Sequence, residues 1–156
     1  PYGIGIFISK KLWDEVGGYD PLLNFGGDDT DLGIKLWLKG YKCFLFSKTI
    51  QLHIGMDTRQ DTKIYSWKWE NIFFAHIYTI LKNFRFKNIL VVLPIHICFA
   101  FMKTIKQCVK RKSLLPFMSH LKSYIKIFRN LHIALKNRRI VQSERLVKND
   151  NFFNIK

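Results

Sequence analysis

The 156-residue chain divides into two stretches of opposite electrostatic character, and any fold it adopts must accommodate that division. It carries 26 lysines and arginines against 11 aspartates and glutamates, a formal charge of +15. No acid occurs from Asn71 to Ser143, whereas the residues through Asp61 are nearly balanced. Essentially all of the excess charge therefore lies in the C-terminal portion. A field this one-sided attracts a polyanion, either an anionic membrane surface or a nucleic acid. The chain is long enough for one average domain.

The acids are concentrated at one place. Asp28, Asp29 and Asp31 stand together in FGGDDTDL, residues 25–32, directly before a helix-like run. Like charges this close repel unless a cation, a substrate hydroxyl or a helix N-terminus offsets them. Acids also gather at helix starts simply because the dipole favours them, so the cluster marks a candidate site without naming its chemistry.

The surrounding punctuation places the cluster. Ser9 can cap a short helix from Lys10 to Val16, which Gly17 ends. Gly17-Gly18-Tyr19-Asp20-Pro21 reads as a turn, and Gly26-Gly27 as a flexible approach to the acids. Asp28 to Lys39 reads as a helix with an acidic first turn, stopped by Gly40. Tyr41 to Phe46 and Thr49 to His53 read as two short β-strands, the second placing His53 where it can face the acids.

Taken in order, three runs carry a resemblance: residues 5–20, then GGDDTDLGIKLWLKGYKC at 26–43, then Gln51-Leu-His-Ile54. Together they resemble the acceptor-side half of a GT-A glycosyltransferase, most similar to family 2. That family places an acidic pair at a helix start, then a further acid, a helix ending in Gly-Tyr or Gly-Phe, and a strand ending in His. Here the pair is Asp28-Asp29 where Glu-Asp is commoner, which keeps the charge and shortens the reach. Trp69 to Phe74, with Lys82-Asn83-Phe84, resembles the family's Arg-Asn helix that follows the His, so the likeness covers roughly the first 85 residues.

The resemblance implies an α/β fold, the acceptor-side half of a Rossmann-like GT-A domain, followed by basic amphipathic helices. It implies a sugar transferred from a nucleotide-sugar donor to a glycan or lipid-linked acceptor in surface polysaccharide or glycolipid assembly. It makes Asp29 the general base, and makes His53 a ligand to a divalent cation, Mn²⁺ or Mg²⁺. Asp28 and Asp31 are left to orient the acceptor or the loop. The family's nucleotide-binding half, with the Asp-x-Asp motif that holds the metal and the diphosphate, precedes the matched region. The chain is therefore expected to be a C-terminal fragment, inactive alone. The same pieces are also similar to retaining polypeptide N-acetylgalactosaminyltransferases, which leaves inversion or retention open. A non-enzymatic membrane-binding module is the third reading.

Among the tryptophans, Trp37 follows helical spacing with Leu32 and Leu36 and belongs to the core. Trp67 and Trp69, beside Tyr65, suit either a wall of the acceptor cleft or an interfacial belt.

The basic half favours lipid over nucleic acid. Residues 88–102 are uncharged and strongly apolar but shorter than the roughly 20 residues that span a bilayer, and Pro94 and His96 interrupt them. They are expected to lie in, or dip into, the interface. From Pro116 a helix is expected with Phe117, Leu121, Tyr124, Ile125, Phe128, Leu131 and Leu135 on one stripe. Such a stripe suits a helix lying flat on anionic lipid, with packing on the catalytic domain as the lesser alternative. Lys103, Lys106, Lys110, Arg111, Lys112, Lys122, Lys126 and Arg129 are the expected membrane-associating cations. Nucleic acid is disfavoured, because the chain has no zinc-finger spacing, aromatic platform or basic heptad region. Cys43, Cys98 and Cys108 lack a Cys-x-x-Cys spacing and suit a reducing cytoplasm, so the expected location is cytoplasmic and peripheral on the cell membrane. The expected divisions are 1–62, the acceptor half; 63–88, the helix after the His strand; 89–147, the membrane-associating tail; and 148–156, a frayed end.

Overall fold

The computed structural model describes residues 5–46, 48, 50 and 61–150. They form six α-helices: α1 Lys10–Glu15, α2 Asp28–Leu38, α3 Thr62–Asn83, α4 Phe86–Arg111, α5 Leu115–Arg129 and α6 Leu131–Glu144. Among the described residues there is no β-strand, and this overturns the expected α/β Rossmann-like half-domain. Residues 41–46 are β-prone in composition, but a strand needs a second strand to complete its ladder. The described chain offers none, and Leu45 is left 96% exposed. Most of the second expected strand, including His53, lies outside the described residues.

Local chemistry explains where the helices begin and end. The Ser9 hydroxyl accepts from Leu12 N at 3.2 Å and starts α1,. Asp61 accepts from Lys63 N and Ile64 N at 2.8 and 3.0 Å and starts α3. Pro116 sits in the first turn of α5, where its missing N–H is not needed,. The expected single helix beyond Pro116 is broken at Asn130 into α5 and α6. The end of α3 is closed from outside: Arg138 donates to the Leu81 and Phe84 carbonyls, and Gln142 donates to Asn83 O at 2.9 Å,.

Helix α3 is the centre of the molecule, with α2, α4, α5 and α6 packed on it. Leu23, Phe74, Ala75, Tyr78 and Ala134 form one buried cluster; Val16, Leu32 and Leu36 form a second; Ile80, Phe84 and Ile89 form a third. Leu32 and Leu36 take the core positions expected of them, and Trp37 is half-buried. The boundary expected between 88 and 89 falls inside α4. Of the segment expected to fray, 148–156, only residues 148–150 are described, and there Asp150 accepts from Arg85 N at 2.7 Å and pairs with Arg145 at 2.6 Å.

Candidate functional site

Two glycines bring the acid cluster against α3. Gly26 and Gly27 take φ of 73° and 86°, the left-handed region,. A Cβ on Gly27 would stand 2.8 Å from the Ala75 Cβ, and one on Gly26 would stand 2.9 Å from Ile72 Cγ1. The absence of side chains here lets the N-terminus of α2 press onto the middle of α3, with all three acids in the first turn of α2.

The three carboxylates do not share one environment. Asp31 is fully buried; its Oδ2 lies 2.7 Å from Lys82 Nζ, and its Oδ1 accepts from Asn83 Nδ2 at 2.7 Å. The same ammonium reaches Asp20 Oδ2 at 2.7 Å, where Tyr78 also donates at 2.7 Å. Asn137 of α6 donates to the Tyr78 oxygen at 2.8 Å. Burial pushes the Asp20 carboxyl up, but Lys82, Tyr78 and the Leu22 amide outweigh it and hold it below the usual carboxylate range. Burial and the hydrogen bond to Asp20 push the Tyr78 phenol up. This network ties α2, α3, α6 and the loop before α2 together, so Asp31 is committed to the fold.

Asp28 and Asp29 are partly exposed. The Asp29 carboxylate accepts from Thr30 N at 2.7 Å. Burial, then the charges of Asp28 and Asp29, push the nearby Tyr19 phenol up. Trp67, half exposed, packs against the loop before α2, its ring 5.1 Å from that of Phe25. Trp69 lies elsewhere, in the seam between α3 and α4, its ring tilted against Phe73 at 5.1 Å and covered by Lys103 Nζ at 3.8 Å. Asp31 is thus set apart from the partly exposed Asp28 and Asp29, while Trp67 meets the loop before them and Trp69 the seam with α4.

Sequence reasoning missed His76 and His96. Their rings meet at 5.2 Å, edge to face, between α3 and α4. Burial, with His96 and Lys103 nearby, lowers His76 to about 4, and Asp29 is close enough to oppose that shift in part. Lone histidines in apolar helical runs carry no sequence signal that separates core residues from site residues. Lys82 did carry one, since Lys82-Asn83 was already part of the family-like pattern.

A cleft of about 220 Å³ opens over the buried network and not over Asp28 and Asp29; Tyr19, Lys35, Lys82, Asn137, Ile140 and Glu144 help line it. Tyr19 is shared between the cleft and the acids. Among the described residues no group of three or more His, Cys, Asp or Glu side chains is arranged to hold a metal ion, and His53, the expected ligand, lies outside them.

Of the expected membrane-facing cations, three are laid on α3. Lys103 covers Trp69, Arg111 lies 3.6 Å from the Tyr65 ring, and Lys126 lies 4.4 Å from Phe74 while donating to Asn71 at 2.9 Å. Lys106, Lys110, Lys112, Lys122 and Arg129 are exposed. Comparison with protein-family models, with curated proteins and with solved structures finds no match to this chain.

Proposed function

We propose that this chain is the acceptor-side part of a glycosyltransferase that moves a sugar from a nucleotide-sugar donor to a glycan or lipid-linked acceptor, with Asp29 as general base. The observation that carries this reading is the division of the three acids. Asp31 is consumed by Lys82 and Asn83, while Asp29 stays partly exposed in the first turn of α2. The exposed Trp67 ring, packed on Phe25 of the loop before α2, offers an aromatic face on which the C–H face of a sugar can stack,. In the transfer, the Asp29 carboxylate takes the acceptor hydroxyl proton as that oxygen attacks the anomeric carbon. The bond from that carbon to the diphosphate breaks, and its electron pair leaves with the nucleoside diphosphate. Attack opposite the leaving group inverts the anomeric configuration. Asp28 orients the acceptor from the same turn.

The test is an assay of the gene product that carries this chain, using a panel of nucleotide sugars with and without Mn²⁺ or Mg²⁺, and NMR of the product's anomeric centre. Transfer with inversion is expected. Transfer with retention would replace the inverting step by the retaining N-acetylgalactosaminyltransferase-like alternative. No transfer from any donor would leave a non-enzymatic membrane-binding module, a reading favoured by the exposed apolar side of α4 and α5.

A further inference from the structure

The largest feature that sugar transfer leaves unused is the side of α4 and α5 turned away from α3. Helix α4 packs on α3 through Ile89, Val92, Leu93 and His96, and Lys103 and Arg111 lie along the same side. Helix α5 is buried through Ser119, His120 and Ser123, and Lys126 reaches α3 from that side. The two helices meet where Thr104 Oγ1 lies 3.2 Å from His120 Nδ1 and where the Phe101 and Phe117 rings stand 6.5 Å apart.

These contacts fix the rotation of both helices. At about 3.6 residues per turn, Val91, Ile95, Met102 and Val109 fall on the outer side of α4, and all four are exposed. Leu121, Ile125 and Phe128 fall on the outer side of α5 and are also exposed. The apolar stripe of α5 thus faces outward, while small polar residues pack inward. Lys106 and Lys110 border the layer on the edge of α4 away from α5. Lys122 and Arg129 border it on the edge of α5 away from α4. Neither helix contains an acid.

We propose that this two-helix layer is the docking surface for an anionic lipid bilayer, with α4 and α5 lying in the plane of the interface. The chemistry of its edges selects the occupant. An apolar strip bordered by cations on both sides matches acyl chains flanked by anionic headgroups, whereas a second copy laid face to face would bring like charges together. Helix α4 is long and apolar enough, by length and composition, to cross a membrane, and little of it is buried. Its uncharged part, residues 88–102, nevertheless covers roughly 22 Å at 1.5 Å per residue, short of the ~30 Å hydrocarbon core. Its inner side is also occupied by α3 and α5. Lying flat buries the outer stripe and keeps the cations at the headgroups. This inference stands on the helix faces alone and does not depend on sugar transfer.

Cys98 is exposed near the middle of α4, on its outer side, and provides the probe. In the whole chain carrying Cys43→Ser and Cys108→Ser, Cys98 is labelled with an environment-sensitive fluorophore and titrated with vesicles of equimolar phosphatidylcholine and phosphatidylglycerol. Blue-shifted emission is expected, quenched best by spin labels near the top of the acyl chains. Partitioning should weaken at least about tenfold on pure phosphatidylcholine, in high salt, or in the Lys122→Glu/Arg129→Glu variant, with the variant's urea midpoint unchanged. Any of four results would overturn the proposal: equal binding to neutral vesicles, no shift at all, strongest quenching at the bilayer centre, or a shift that appears without lipid as protein concentration rises.

Discussion

Lys82 Nζ and Asp31 Oδ2 meet at 2.7 Å with both side chains removed from solvent, although the residues are 51 positions apart in the chain. The same ammonium lies 2.7 Å from Asp20. Replacing Lys82 by Met leaves Asp20 and Asp31 buried without the ammonium they share, Asp31 keeping only Lys35 at 3.9 Å as a cation, a loss of about 3–5 kcal/mol. The exposed Lys10–Asp14 pair on α1 is the internal comparison, and Lys10→Met is expected to change stability by less than about 0.5 kcal/mol,. Urea denaturation of the two variants measures the difference.

His76 gives the fold a pH dependence of definite sign. Its pKa falls from 6.5 to about 4 on folding, so between these values the unfolded chain binds a proton that the folded chain refuses. Stability therefore rises with pH across that window, by up to about 3 kcal/mol in all. Urea midpoints followed from pH 4 to 7 should climb in the wild type and climb less in His76→Gln, where the buried His96 and His120 still contribute with the same sign. Asp20 acts at lower pH: its carboxyl lies below the ordinary 3.8, so its contribution is present above that value and is lost as the pH falls through the folded pKa,.

Gly27 and Gly40 separate backbone strain from steric exclusion. Both have strongly positive φ, but a Cβ at Gly40 meets nothing within 4 Å, whereas one at Gly27 would strike Ala75 at 2.8 Å. Gly40→Ala should cost about 1–2 kcal/mol for the left-handed backbone alone. Gly27→Ala should cost clearly more, because α2 must also lift from α3. Thermal midpoints of the two variants report the ordering.

Arg138 closes the end of α3 from a different helix, donating to the carbonyls of Leu81 and Phe84. Arg138→Ala is expected to cost about 1–3 kcal/mol, and the exposed neighbour variant Arg139→Ala about 0.5 kcal/mol or less. Urea midpoints again decide.

What could be read from the chain was local. Ser9, Gly17, Gly40 and Pro116 mark helix ends through their own backbone chemistry, so α1, α2 and the start of α5 follow from short stretches. What escaped depends on distant partners. Residues 41–46 have strand composition, but a strand is a pairing, and composition cannot supply the other half. Asp31 looks like Asp28 and Asp29 in sequence, and only the arrival of Lys82 from α3 removes it from the candidate site. Lys103, Arg111 and Lys126 look like surface cations until α3 offers Trp69, Tyr65 and Phe74 beneath them. The stripe on α5 was visible, yet its direction was set by Ser119 and Ser123 packing inward.

The central claim is that Asp29 does chemistry while Asp31 holds the fold, and one comparison tests it most directly. In the gene product that carries this chain, sugar transfer is measured for Asp29→Asn and Asp31→Asn beside the urea midpoint of each. The account predicts that Asp29→Asn lowers kcat by roughly 10²–10⁴-fold with an unchanged midpoint, and that Asp31→Asn lowers the midpoint. Transfer at the wild-type rate by Asp29→Asn would contradict it.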